Sequence, residues 1–247
     1  MRLTILGRDG PYPAPGGACS GYLLEGPQGP VLLDCGPGVL ARLRQRVDVP
    51  QLAAVFYSHY HPDHCSDHFV LRYVLDIARY LGCQRPEPLP LYGPARPADL
   101  AGRMPYKDVF TPHFLDPGES VAIAGFDVEV RATDHPIPCL ASSWSAGGRR
   151  VVYSGDTGPG AAAELVQLAR GADLLLIEAS LLARRGDRAP GHLTARQAAE
   201  IAREAGVRQL LLTHLLPEYD PQEVLAEAQE VFPAARLAEP GATVELP

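Results

Sequence analysis

The chain has 247 residues, 46% of them hydrophobic and 21% charged, with a formal net charge of -7. That length can bury a full core without disulfides or metals as staples, and the composition excludes a disordered or fibrous chain. The negative balance works against a long polyanion docked along the surface, because affinity for a phosphate backbone comes mainly from Lys and Arg.

Lys107 is the only lysine among the 22 basic residues. The segment Met1 to Gly7 runs from strand-like alternation straight into Gly and Pro, without the apolar stretch of a signal peptide. No apolar run approaches the roughly 18 residues of a membrane span. The five cysteines (Cys19, Cys35, Cys65, Cys83, Cys139) form no C-x-x-C pair, which argues against a disulfide framework or a thiolate zinc site. The expectation is a cytoplasmic protein with reduced thiols.

In chain order, Leu3 to Leu6, Gly21 to Glu25 and Val31 to Asp34 read as short strands bounded by Gly or Pro. Leu52 to Tyr57 reads as a buried strand ending at Ser58-His59. Phe69, Val70, Tyr73, Val74, Ile77 and Tyr80 follow at helical spacing. Residues 84–118, rich in Pro, read as mostly loop around a strand from Leu89 to Tyr92. Strands return at Ser120 to Ile123, Asp127 to Ala132 and Val151 to Tyr153, and a helix follows from Ala161 to Arg170. Beyond the strand Asp173 to Ile177, Thr194-Ala195-Arg196-Gln197 fits a capping box, with Gly206 placed to end the helix it opens. Leu210 to Leu212 leads to Thr213-His214, and Asp220-Pro221 opens the last helix. A strand-rich early part and a late part alternating helix with strand suit two packed sheets with helices outside both. No polar linker divides the chain, so one domain over residues 1–247 is expected.

Four of the eight histidines fall within ten residues, in His59-Tyr60-His61-Pro62-Asp63-His64 and on to His68. In extended backbone, side chains two apart point the same way, so His59 and His61 can chelate one ion. After the turn imposed by Pro62, Asp63 and His64 can face a second. Imidazole and carboxylate without thiolate suit zinc first, with manganese or iron as alternatives. Further ligands stand at the ends of other candidate strands: Asp134-His135, Asp156 and His214. Sites collect beyond the carboxyl ends of such strands, and a carboxylate such as Asp156 can bridge two cations. His113, in a Pro-rich stretch, reads as structural or exposed.

Taken together, His59 to His64, His135-Pro136-Ile137-Pro138, Ser154-Gly155-Asp156-Thr157-Gly158, Ile177-Glu178-Ala179-Ser180, Gly191-His192-Leu193-Thr194 and Thr213-His214, following Leu32-Leu33-Asp34-Cys35-Gly36, resemble the metallo-β-lactamase superfamily and its ribonuclease Z-like branch. The resemblance implies a four-layer αββα sandwich with two divalent metal ions between the sheets. It implies His59, His61 and His135 around one ion, Asp63, His64 and His214 around the other, Asp156 bridging, and Asp134 as a neighbour. It also implies that His192 approaches the scissile phosphate, with Leu193 where the family has serine. The family's glycine shortly after H-x-H-x-D-H is replaced here by Cys65-Ser66-Asp67-His68.

Transfer-RNA processing members carry a long arm between the residues matching His135 and Asp156. Here Asp156 follows His135 by only 21 residues, room for a strand pair and no arm. The expectation is therefore a phosphodiesterase for small or cyclic phosphodiesters, working through a metal-bridging hydroxide, with Asp63 orienting the water and His192 assisting the phosphoryl oxygen or the leaving group. An RNA 3′-end endonuclease and a lactone or thioester hydrolase are the competing activities. A non-catalytic scaffold is disfavoured, since every ligand is present. A homodimer fits the branch.

Overall fold

The computed structural model describes residues 1–82 and 87–246. Cys83 and the opening 84–86 of the Pro-rich stretch lie outside the described residues. The first sheet is built from β1 (Arg2–Gly7), β2 (Gly21–Gly26), β3 (Gly29–Leu33), β4 (Ala54–Phe56), β5 (Leu89–Pro94) and β6 (Phe110–Leu115). Its helices are α1 (Val39–Leu43), α2 (Pro62–Cys65), α3 (His68–Tyr80) and α4 (Ala98–Ala101). The second sheet comprises β7 (Ser120–Ile123), β8 (Phe126–Ala132), β9 (Leu140–Ala146), β10 (Arg149–Tyr153), β11 (Leu174–Glu178), β12 (Leu210–Thr213) and β13 (Arg236–Leu237). With it run α5 (Ala162–Ala169), α6 (Ala195–Ala205) and α7 (Pro221–Gln229). The last strand, β14 (Thr243–Glu245), crosses back to pair with β1, Arg2 opposite Glu245.

The sheet orders are β14-β1-β2-β3-β4-β5-β6 and β13-β12-β11-β10-β9-β8-β7. Each sheet is antiparallel where hairpins connect its strands and parallel where helices do: β3 to β6 in one, β10 to β13 in the other. The central parallel strands β4 and β11, covered on both faces, are fully buried over Ala54–Phe56 and Leu174–Glu178, while the edge strands β6 and β13 carry exposed residues. Their carboxyl ends carry Ser58-His59, Asp156 and His214.

Three apolar layers hold the sandwich. Between the sheets, Leu3, Tyr22, Val31 and Phe56 meet Val128, Trp144, Tyr153 and Leu176. Trp144 is fully buried at the middle, edge-on to Phe56 and Phe126 at 5.4 and 5.7 Å; truncating such a residue to Ala costs about 3–5 kcal/mol. One outer layer packs α5, α6 and α7 on the second sheet, and the other packs α1 and α3 on the first. The architecture is the expected αββα arrangement.

The capping box at Thr194 and Gln197 forms in full, and Gly206 ends α6 in a left-handed conformation at φ 63°. Asp220 caps α7 by accepting from the N–H of Gln222, with Pro221 at the first position. Within 87–118 the sequence reading is corrected: β6 is a strand paired in parallel with β5, where loop was expected. Pro112 obscures it, and β6 is the edge of its sheet, where a strand tolerates Pro because an N–H can be missing on the open side. Among the described residues no helix is long and apolar enough to cross a membrane.

Candidate metal centre and active site

The strand β4 and the turn of α2 deliver the histidine-rich segment. His61 is extended at φ −65°, ψ 149° and Pro62 starts α2, so the chain reverses between His61 and Asp63. This puts His59 and His61, ring centroids 4.9 Å apart, with His135 from the loop after β8. Their ligand atoms lie within 4.8 Å of one another, and a second such group consists of Asp63, His64, Asp156 and His214. Oδ2 of Asp156 stands 3.8 Å from His59 Nε2, 4.0 Å from His135 Nε2 and 3.3 Å from His214 Nε2, while its Oδ1 lies 3.3 Å from His64 Nε2. Asp156 thus faces both groups. All seven candidate ligands come together, drawn from both sheets.

The proton arrangement follows from the partners. Asp34, fully buried, accepts from the N–H and hydroxyl of Ser58, from Tyr153 Oη at 2.7 Å, and from His64 Nδ1 at 2.8 Å. A carboxylate only accepts, so His64 carries its proton on Nδ1. The Ser58 hydroxyl spends its proton on Asp34, so its oxygen accepts from His59 Nδ1 at 3.1 Å. His135 Nδ1 donates to the Ile137 carbonyl at 3.1 Å. Nε2 of His59, His64 and His135 is thereby turned toward the site; the carboxylates around His64 outweigh its burial and raise its pKa well above 6.5, so an ion there takes the place of a proton. Burial pushes the His59 imidazole well below its ordinary pKa, which keeps it neutral as a ligand must be. Burial opposes ionisation of Asp156, but the imidazoles of His214 and His64 outweigh it and hold the carboxyl well below the usual range.

Glu178, at the end of β11, plays the corresponding part in the second sheet. Fully buried, it accepts from Thr157 N–H at 2.9 Å, Leu193 N–H at 3.2 Å, the Ser180 hydroxyl at 2.7 Å and His192 Nδ1 at 3.0 Å. Ser180 Oγ in turn receives His214 Nδ1 at 2.8 Å. Burial alone would lower the His192 pKa, but the hydrogen bond and charge of Glu178 prevail and raise it from 6.5 to about 9. His192 is partly exposed, 5.4 Å from the ring of His214 in a stacked arrangement. Leu193 is buried in the outer core, and its backbone N–H, rather than a side chain, ties the loop to Glu178.

Backbone geometry marks the same places. Asp34 and His214 are non-glycine residues in the left-handed region, φ 55° and 53°, a strain that persists only where surroundings enforce it. Gly191 has φ 81°, and a Cβ there would come within 2.6 Å of Pro136 Cδ, so glycine lets the His192 loop lie against the His135 loop.

Other sequence candidates lie elsewhere. Asp134 is outside the two ligand groups and accepts from Gly160 N–H at 2.8 Å. His113 stacks on Tyr92 in the first sheet. His68 is buried between Tyr57 Oη and the Met104 carbonyl, both at 2.8 Å, and Asp67 accepts from Leu40 N–H. Sequence reasoning named the segments holding Asp34 and Glu178 without giving either a role; the signal was an acidic residue at the end of an apolar strand.

A family model described as Beta-lactamase superfamily domain matches residues 30–215. The chain is 33% identical over 233 residues to the probable metallo-hydrolase YhfI of Bacillus subtilis, covering 94% of each chain. It is 30% identical over 309 residues to a ribonuclease Z of Myxococcus xanthus, covering 100% of this chain and 98% of that one. The crystal structure of the metallo-β-lactamase fold protein YhfI from Bacillus subtilis superimposes with a TM-score of 0.93 at 30% identity, covering 98% of both chains.

Proposed function

The chain belongs to the β-lactamase superfamily as a metal-dependent hydrolase, and from that premise we propose that it is a phosphodiesterase of small or cyclic phosphodiesters. It acts as one catalytic unit over residues 1–247, in the cytoplasm, with two divalent cations, zinc before manganese or iron. One observation carries the metal part of this reading: His59 Nε2, His64 Nε2 and Asp156 Oδ1 are buried and have no hydrogen-bond partner. His64 Nε2 faces Asp156 Oδ1 at 3.3 Å, and the carboxylates of Asp156, Asp34 and Asp63 outweigh burial and raise the pKa of this imidazole well above 6.5; the surroundings demand positive charge at this point, and a cation held between the two atoms supplies it. His59, His61 and His135 would hold one ion, Asp63, His64 and His214 the other, with Asp156 shared.

When bound, the ions polarise the phosphoryl oxygens and lower the pKa of water toward ~7. The chain's own residues do the rest. Asp63 is ionised, because His64 and His214 outweigh the effect of its burial, and it orients the attacking water and takes up its proton. His192, charged up to about pH 9, presents Nε2–H to the oxygen that departs while Nδ1–H stays on Glu178. General acid catalysis of this kind contributes about 10²–10⁴-fold, most where the leaving alcohol is poor.

The charged imidazole favours phosphodiesters over activated carbonyl substrates, and the relative named ribonuclease Z supports phosphodiester chemistry. The interval from His135 to Asp156 is filled by β9 and β10, which leaves no arm for transfer RNA. The test is hydrolysis of bis(p-nitrophenyl) phosphate, p-nitrophenyl phosphate and p-nitrophenyl acetate by zinc- and manganese-loaded protein. Diester preference is expected; preference for the monoester or the acetate refutes the assignment. Turnover of transfer-RNA precursor that weakens steeply with salt would favour the nuclease reading instead.

A further inference from the structure

A cavity of about 810 Å³ opens beside His192, and none of the seven candidate metal ligands lines it. Its walls include His192, Arg188, Asp187, Arg196 and Glu200. The wall that carries Arg188 is held firmly. Glu227 of α7, buried, accepts from the N–H groups of Ala183 and Arg184 at 2.9 Å and of Arg196 at 3.2 Å. This fixes the start of the loop 182–191 to the first turn of α6. Asp187 then accepts from Leu182 N–H at 3.2 Å and from Tyr219 Oη at 2.6 Å, which pins the loop a second time, one residue before Arg188.

The charges around this loop are nearly all spoken for. Arg184 pairs with Glu227 and Glu230, Arg185 with Glu223, and Arg196 with Glu230. Among the described residues Arg188 alone of these arginines has neither an ion pair nor a hydrogen bond to the protein. Of the lining groups, the guanidinium of Arg188, the imidazole of His192 and the carboxylate of Glu200 stay available to a ligand, and Asp134 keeps its Oδ1 beyond the bond that Oδ2 accepts from Gly160 N–H. A volume of this size suits a nucleotide-sized body. A planar guanidinium with five donors matches a phosphate bidentately. Glu200 can only accept, so it suits hydroxyl or amino groups.

We infer that this cavity receives the leaving alcohol of the diester, and that Arg188 selects leaving alcohols that carry a second phosphate. The inference rests on the phosphodiesterase reading and on His192 facing the departing oxygen. The alcohol that leaves must lie on the His192 side, which is where the cavity is. Arg188 is a specificity-determining residue here; the bond cleaved is the same P–O bond, water supplies the hydroxyl, and the alcohol leaves with the proton.

The experiment compares the dinucleoside monophosphate ApA with its 5′- and 3′-phosphorylated forms, pApA and ApAp, on the metal-loaded protein. Product analysis identifies which alcohol leaves. The form whose extra phosphate sits on that alcohol is expected to have roughly 10- to 100-fold higher kcat/KM than ApA, the range for hydrogen bonds to a charged group. Arg188→Ala should collapse this ratio to about one, and Arg188→Lys should keep part of it. Calorimetric titration of the metal-free protein should show the matching adenosine monophosphate binding more tightly than adenosine, with the gap lost in Arg188→Ala. No preference, a preference for phosphate on the alcohol that stays with the cleaved phosphorus, or a ratio untouched by Arg188→Ala overturns the inference. Turnover of none of the three alongside turnover of p-nitrophenyl acetate refutes the phosphodiesterase reading, and this inference with it.

Discussion

Replacing Glu178 by Gln separates proton delivery from the rest of the reaction. The hydrogen bond and charge of Glu178 are the main causes that raise the His192 pKa from 6.5 to about 9, with Asp156 and Asp63 adding to them, so in its absence burial pulls the imidazole down toward its ordinary 6.5. At pH 8 a group of pKa about 9 is roughly 90% protonated and one of pKa 6.5 roughly 3%, so about 30-fold of the acid form is lost. A diester with an alkyl leaving group such as ApA needs that proton and should lose up to about 30-fold in kcat/KM at pH 8. Its alkaline limb should move down from near 9 toward 6.5. Bis(p-nitrophenyl) phosphate expels a stable phenolate without help and should keep nearly all its rate. The Gln amide also turns an NH2 toward the N–H donors of Thr157 or Leu193, so a loss of roughly 1–3 kcal/mol in stability is expected. A folding defect would lower both substrates alike, which makes the leaving-group contrast decisive. Equal losses on both substrates, or an unmoved alkaline limb, refute the general-acid role of His192.

Three further outcomes are expected. His61→Ala should lower bound metal from two equivalents to one or fewer by elemental analysis and abolish turnover; full occupancy with unchanged activity refutes the ligand assignment. Asp34→Asn removes the acceptor that fixes the His64 tautomer, and competition with a chromophoric chelator should show metal affinity lower by about 10–100-fold. His68 titrates at about 4 in the fold because burial lowers it from 6.5. The unfolded chain therefore takes up that proton first: the stability is full above pH 6.5 and falls as pH drops toward 4. Between pH 7 and 5 urea unfolding should show about 2 kcal/mol lost through this group, a loss that His68→Phe, weaker at every pH, does not repeat.

The histidine-rich segment was legible because its chemistry is local: alternation through His59 and His61, then a turn forced by Pro62, places four side chains without knowledge of the rest of the chain. The caps at Thr194, Gly206 and Asp220 were legible for the same reason. Strand β6 was not, since Pro112 suppresses a strand reading and only the edge position, a property of the whole sheet, permits it. The roles of Asp34 and Glu178 were hidden differently. A buried acid at the end of an apolar strand is visible as a type, but what it orients depends on partners far along the chain: His64, 30 residues on, and Tyr153, 119 residues on, for Asp34.

Those two carboxylates divide the control of protons between the sheets by one logic. Asp34 at the end of β3 fixes His64 directly and, through the Ser58 hydroxyl, His59. Glu178 at the end of β11 fixes His192 directly and, through the Ser180 hydroxyl, His214. In each case a serine passes its only proton to the carboxylate and so can only accept from the imidazole, which turns Nε2 toward the cleft. The direct partners differ in environment. His64 is fully buried among carboxylates with its Nε2 unpartnered, which suits an ion. His192 is a quarter exposed beside an open cavity, where an Nε2–H can meet a substrate oxygen. The same carboxylate-to-imidazole contact thus serves a ligand on one sheet and an acid on the other: both imidazoles are biased toward positive charge by nearby carboxylates, and what Nε2 faces, other candidate ligands or an open cavity, decides which.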